Sequence, residues 1–229
     1  MATAVLVHGA WSSPADWRWV AEYLQAQAVE TVIPDLPSHR RRSADRSDDV
    51  QQVEAAIRAA APPVAVAGWS YGGMVIGDLA DTGPIGHLVY VASIPEPTSA
   101  DPQGEPWDLA SDPHLLFPDQ ATVLPDDGWW LNSEEVAAFP AEVIHHLREH
   151  RRRPVTRSAL LAPPVAEAWR TVPTTILLGR SDSLLPVEQQ DWARTHFSDV
   201  RIVEGNHFLP LLKPDLVAAV ITETVAKAH

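Results

Sequence analysis

Gly68-Trp69-Ser70-Tyr71-Gly72-Gly73 decides how the rest of this chain is read. It fits the pattern G-x-S-x-G, and its flanks give the pattern meaning. Val64-Ala65-Val66-Ala67 before it is a short apolar run that reads as a buried strand. Met74-Val75-Ile76-Gly77-Asp78-Leu79-Ala80 after it reads as a helix. A serine on a sharp strand-to-helix turn is held in strained backbone geometry with its hydroxyl exposed. Glycines at 68 and 72 let neighbouring backbone pass close by. Ser70 is therefore the first candidate for a covalent nucleophile.

Outward from this turn, the first half of the chain alternates strand and helix. Thr3–Val7 and Thr31-Val32-Ile33 are expected strands, and Leu88-Val89-Tyr90-Val91-Ala92 follows the elbow helix. Between them, Ser13-Pro14 opens a helix running to about Gln27, and Ser47 is positioned to cap another through about Ala61. The apolar strands are continuous rather than alternating, which predicts a parallel sheet covered on both faces. The rhythm breaks at Ser93. Residues 93–170 are rich in Pro, Asp and Trp, with helices expected at Ser133–Ala138, Ala141–Arg151 and near Pro164–Trp169. The rhythm resumes with strand Thr175–Gly179, helix Val187–Thr195, strand Val200–Val203 and helix Asp215–Ala226. The expected organisation is a core from residues 1–92 and 171–229, with 93–170 inserted as a helical lid.

A serine hydroxyl is a weak nucleophile. It needs a base, and the base needs an orienting acid. On such a sheet the three follow in the order Ser, Asp or Glu, His, in loops at the C-terminal ends of strands. Asp182 stands just after strand Thr175–Gly179, and His207 just after strand Val200–Val203. A tetrahedral acyl intermediate also needs two backbone N–H groups aimed at its oxyanion. Tyr71, after the nucleophile, is one candidate donor. Ala10, in His8-Gly9-Ala10-Trp11 after the first strand, is the other. His8 is expected to shape that loop. Trp11, Trp130 and Phe208 are candidate pocket walls, and Trp69, Trp107 and Trp129 are read as pocket or core. His145, His146 and His150 are expected to be solvated or packing residues, and His87 and His196 surface residues.

Composition narrows the classes. The 229 residues suit one domain, and 45% hydrophobic content is ordinary for a globular protein. A net charge of −13 argues against nucleic acid as a partner. Two basic runs, Arg40-Arg41-Arg42 with Arg46 and Arg151-Arg152-Arg153, are expected to be a solvated loop and a helix C-terminus. No run approaches a membrane span, and no leader pattern is seen at the N-terminus, so neither membrane nor export is expected. The chain has no Cys, which fits a cytoplasmic location and excludes a thiol nucleophile.

Taken together, these residues resemble an α/β-hydrolase across essentially the whole chain. The closer resemblance is to the small lidded branch that holds plant methyl-ester esterases, plant hydroxynitrile lyases and bacterial relatives. Its carriers are His8-Gly9-Ala10-Trp11, Asp35-Leu36-Pro37-Ser38-His39, the Ser70 elbow, Tyr90-Val91-Ala92, Asp182 and Gly205-Asn206-His207. The resemblance implies the α/β-hydrolase fold with a six-stranded, mostly parallel sheet, no cofactor, no metal, and a homodimer as one assembly. Ser38 stands where relatives usually have glycine. Two further positions bear on chemistry: the lyases of this branch carry threonine at the position of Gly9 and lysine at the position of Phe208. Both favour a serine esterase acting on small to medium apolar esters, lactones included. Open beside it are a lyase, C–C hydrolase or perhydrolase on the same triad, and a slow-turnover ligand receptor.

Overall fold

A computed structural model of the chain describes residues 2–80, 82–98, 122–123, 139–150, 152–185 and 187–227. Its centre is a sheet of six strands in the order β2-β1-β3-β4-β7-β8. These are β1 Thr3–Val7, β2 Glu30–Val32, β3 Val64–Trp69, β4 Ile85–Val91, β7 Thr174–Gly179 and β8 Val200–Val203. Every adjacent pair is parallel. Each residue of β1 and β3 is buried, which is why these strands read as unbroken apolar runs.

Alternate residues feed opposite faces. Leu6, Ala67, Val89, Val91 and Leu177 join the cluster beneath α1 (Arg18–Ala26) and the C-terminal helix α8 (Pro214–Lys227). Val5, Val7, Val66, Leu88 and Leu178 join the cluster beneath α2 (Arg46–Ala59), α3 (Tyr71–Gly77) and α6 (Val187–His196). The chain leaves β1 for one edge and returns to β3 on the other side of β1. That reversal opens a crevice at the C-terminal ends of β1 and β3, the place where open parallel sheets hold their ligands.

β4 and β7 are neighbours in the sheet although residues 93–170 lie between them. The described part of that segment holds α4 (Ala141–Glu149), the single turn α5 (Arg157–Leu160), a 3-10 turn at Ala168–Arg170 and a short antiparallel ribbon. The ribbon pairs β5 (Thr122–Val123) with β6 (Val155–Thr156), two residues each, and sequence gave no sign of it. The α7 turn (Leu209–Leu212) follows the His207 loop. The helix expected at Ser133–Ala138 lies outside the described residues, as do Trp107, Trp129, Trp130 and Arg151.

Three local expectations are corrected. Helix α2 is capped by Asp45 rather than Ser47, through a capping box in which Asp45 accepts from Asp48 N and the Asp48 side chain accepts from Asp45 N. His87 is buried, not superficial: its Nε2 lies 2.9 Å from Thr175 Oγ1, which donates to Asp199 at 2.8 Å. Arg40, Arg41 and Arg42 are exposed as expected, but Arg46 is 2% exposed. Its guanidinium pairs with Asp78 at 3.1 Å and Glu96 at 3.2 Å and donates to the Ala162 carbonyl. Asp78 also accepts from the Val165 and Ala166 amides at 2.8 and 3.2 Å. Burial raises the pKa of both carboxyls, against the pull of the single arginine.

Candidate active site

Ser70 sits between β3 and α3 with φ 53 and ψ −121, a backbone region that a side chain enters at a cost of about 1–3 kcal/mol. Hydrogen bonds hold it there: its amide donates to Val91 O at 3.0 Å, and its carbonyl accepts from Gly73 N at 2.8 Å. The turn also requires its glycines. A Cβ at Gly68 would overlap the Gly72 backbone, and one at Gly72 would overlap the Val7 carbonyl. The described non-glycine residues with positive φ are Trp11, Ala28, Ser70 and Ala92. Three of these follow the C-terminal ends of β1, β3 and β4, so backbone strain is concentrated around the crevice.

Asp182 and His207 come together in the loops after β7 and β8. These loops are laced by Arg180 N to Val203 O at 2.8 Å and Ser181 N to Gly205 O at 3.0 Å. His207 Nδ1 lies 2.9 Å from Asp182 Oδ2, and both side chains are buried. Asp182 Oδ1 accepts from Leu184 N at 2.9 Å, so the carboxylate is fixed at both oxygens. An acceptor carboxylate requires the proton on Nδ1, which leaves the Nε2 lone pair open to take another. Trp69 ties this loop to the elbow: its indole N–H donates to His207 O at 2.8 Å, one residue before Ser70. Phe208, taken from sequence as a pocket wall, is 3% exposed and packs edge-on to Phe139 with ring centroids 5.1 Å apart. It braces the histidine loop from the core.

The loop after β1 lies directly against the serine. A Cβ built on Gly9 would stand 3.2 Å from Ser70 Cβ. Among the described residues, neither the Ala10 nor the Tyr71 amide donates a backbone hydrogen bond. His8 is fully buried. Leu36 N and Arg153 Nη2 both approach its Nε2 at 3.3 Å, so that nitrogen accepts and Nδ1 donates to Gly9 O at 3.0 Å. Trp11, the candidate wall beside it, is partly buried against the cluster beneath α2 and α3.

Sequence reasoning missed what stands behind the elbow. Tyr71 directs its phenol onto Asp49 Oδ2 at 2.6 Å, and Ser38 adds its hydroxyl at 2.5 Å and its amide on Oδ1 at 2.8 Å. Serine in place of the expected glycine at position 38 is thus put to use as a buried donor. Burial pushes the Asp49 carboxyl above its ordinary range despite these bonds, and burial with the Asp49 charge pushes the Tyr71 phenol well up. Asp49 stands in the first turn of α2 and belongs to no motif in the sequence.

The second basic run is also corrected. Arg152 is 9% exposed and grips Asp16 with Nη1 at 2.7 Å and Nη2 at 3.1 Å. His146 Nε2 and Ser12 Oγ complete the shell of Asp16 at 2.8 and 2.5 Å. Burial opposes ionisation of Asp16, but the Arg152 charge and these hydrogen bonds outweigh it and hold the carboxyl well below the usual range. His145 is exposed beside Glu149. Among the described residues no group of three His, Cys, Asp or Glu side chains could hold a metal ion. Nor is any described helix long and apolar enough to cross a membrane.

The elbow, the laced acid and histidine, and two amides that are unpaired among the described residues stand together at the switch point of the parallel sheet. The family comparison agrees: the alpha/beta hydrolase family model matches residues 4–220, and the chain belongs to that family. It is similar to the pimeloyl-acyl-carrier-protein methyl ester esterase of Aromatoleum aromaticum, 28% identical over 251 residues, covering 96% of this chain and 97% of that protein. In fold it is similar to a methylesterase of Arabidopsis, with a TM-score of 0.75, 20% identity and 99% of each chain covered. A pyrethroid hydrolase of Sphingobium faniae superposes with a TM-score of 0.71 at 20% identity, covering 99% of this chain and 98% of that one.

Proposed function

We propose that this hydrolase cleaves carboxylic esters of small to medium apolar compounds, lactones included, through an acyl-enzyme on Ser70. The observation that carries the reading is the His207–Asp182 pair at 2.9 Å, roped by Trp69 to a serine held at φ 53. Ser70 Oγ attacks the ester carbonyl while His207 Nε2 takes its proton. The resulting oxyanion is held by the Ala10 and Tyr71 amides. The C–O bond to the leaving alcohol then breaks, and His207 returns the proton to that alcohol. Water follows: His207 takes one proton, the hydroxide adds to the acyl carbon, and the acid leaves as Ser70 is reprotonated. Asp182 holds the imidazole through Nδ1–H and steadies its cation.

Relatives whose names specify a methyl ester esterase and a methylesterase support a small leaving alcohol. Residues 93–170 are proposed as the lid that selects the acyl group. Gly9 and Phe208 stand against the lyase alternative: a side chain at position 9 would press on Ser70, and position 208 is packed in the core. The test is p-nitrophenyl acetate hydrolysis with fluorophosphonate labelling. Wild type should label at Ser70, and Ser70→Ala should lose roughly 10^5-fold in kcat with its fold intact. Equal turnover by Ser70→Ala would remove the covalent mechanism, and cyanohydrin cleavage faster than ester cleavage would move the chain to the lyases.

A further inference from the structure

Arg153 is placed oddly for a residue in a basic run. It is only 24% exposed at its side chain, and every polar arm is committed. Its main-chain N–H donates to Trp11 O at 3.0 Å, and its Nε donates to Ser12 O at 2.9 Å. Nη2 reaches His8 Nε2 at 3.3 Å, and Nη1 pairs with Asp35 Oδ1 at 2.7 Å. His8 in turn holds the Gly9 carbonyl. Thus residues 8, 9, 11 and 12 are held from one side by a single arginine that belongs to the inserted segment. Between them stands Ala10, whose amide is unspent among the described residues. Next door, Arg152 holds Asp16, and Asp16 accepts from the Ser12 hydroxyl. Ser12 is therefore fixed through both its carbonyl and its side chain.

The loop needs such a restraint. Trp11 has φ 57, and a non-glycine residue stays in that region only where its surroundings overdetermine it. An oxyanion donor works because its N–H already points at the place where charge will develop, so a shift of a fraction of an ångström costs rate more than binding.

We propose that Arg153 is a positioning residue for the oxyanion hole. It clamps the His8–Ser12 loop so that the Ala10 amide meets the transition state, and it couples the seat of the inserted segment to the rate of acyl transfer. The proposal rests on the serine-esterase reading above, and the clamp does not touch substrate.

Three variants test it on the full chain: Arg153→Ala, Arg153→Lys and Ser70→Ala, with p-nitrophenyl acetate kinetics, fluorophosphonate inactivation rates and thermal melts. Arg153→Ala should lower kcat by about 30-fold or more, below the ~10^2–10^3-fold cost of deleting an oxyanion donor outright. KM should stay within about 3-fold, because the loss lies in the transition state rather than in binding. Fluorophosphonate inactivation should slow in the same proportion, since its tetrahedral oxygen uses the same hole. Lysine keeps a charge beside Asp35 but cannot fork to Ser12 and His8, so Arg153→Lys should lose roughly 5-fold or more. Added guanidinium should restore part of the Arg153→Ala rate. Arg153→Lys decides the matter alone if the alanine variant does not fold. Unchanged kcat in a folded variant, or a loss confined to KM, overturns the clamp while labelled wild type leaves the esterase reading standing. Wild type that is not labelled at Ser70 takes down both.

Discussion

Helices α1 and α8 meet the sheet through Val20, Leu24, Val217 and Ile221, all fully buried and apolar. The inserted segment meets the C-terminal edge of the same sheet differently. Its buried Phe139, Leu147, Val155 and Leu160 join the same apolar clusters, and ion pairs stand beside them: Arg46 with Glu96, Arg152 with Asp16, and Arg153 with Asp35. Apolar packing is non-directional and tolerates small shifts, each buried aliphatic side chain contributing about 1.5–3 kcal/mol. A desolvated ion loses far more if its partner moves away, since charge is then stranded in a poor solvent. The difference teaches that α1 and α8 are seated by burial, whereas the insertion beside the candidate site adds a few directional ion pairs to its burial. Such contacts respond to pH and to single substitutions.

The sharpest way to break this comparison is Arg46→Ala. It leaves Asp78 and Glu96 buried without their cation and the Ala162 carbonyl without its donor. The expected loss is about 3–5 kcal/mol in urea unfolding, the range for breaking a buried pair by removing one partner. A loss below about 1 kcal/mol would mean the carboxyls simply take up protons or water, and that the ionic seam contributes little.

The next two substitutions separate the clusters by the sign of their pH response. Asp16 titrates below its ordinary value of 3.8, so its contribution is complete above that pH and is lost as pH falls through the folded value. Asp16→Asn, which removes the charge that Arg152 grips, should cost about 2–3 kcal/mol at pH 7, and the gap to wild type should close in acid. Glu96 is shifted the other way, upward from 4.5 by burial, with Arg46 opposing. Folded wild type therefore takes up a proton before the unfolded chain does and gains stability as pH falls through the folded value. Glu96→Gln, which keeps a hydrogen-bonding side chain beside Arg46, should cost about 1 kcal/mol at pH 7 and more as the pH is lowered. Unfolding free energies from about pH 2 to pH 8, on the order of one measurement per half unit, read both slopes. Slopes of the same sign would erase the distinction between the two clusters.

The contrast also explains what could be read in advance. The inner strands were legible because burial on both faces writes itself as unbroken runs such as Val64–Ala67. That Asp182 and His207 would meet was legible because order and strand-end position constrain them. The ionic seam was not, because a run of arginines looks like a solvated surface until its partners are known. The partner of Arg152 is 136 positions away at Asp16, and that of Arg46 is 50 positions away at Glu96. His87 was misread for the same reason, its partner Thr175 lying 88 positions on. Nothing local tells a buried ion from an exposed one. The Asp45 cap, by contrast, could have been found. Asp45-Arg46-Ser47-Asp48 holds an acceptor at the cap and another three residues later, and the serine drew the reading two residues too far.

That cap joins the two regions, which makes it the finest probe of the difference between them. Asp45 fixes the first turn of α2, whose body packs Val53 and Ile57 on the sheet and whose first residue is Arg46. Asp45→Ala removes the side-chain acceptor for Ser47 N and Asp48 N and should cost about 1 kcal/mol, the usual value for an N-cap. If the first turn serves mainly to aim Arg46, part of that cost vanishes once Arg46 is already gone. The double substitution Asp45→Ala with Arg46→Ala should then fall short of the sum of the singles by roughly 0.5 kcal/mol or more. Full additivity would mean that the cap serves the helix alone, and that the apolar and ionic regions meet at α2 without sharing its energy.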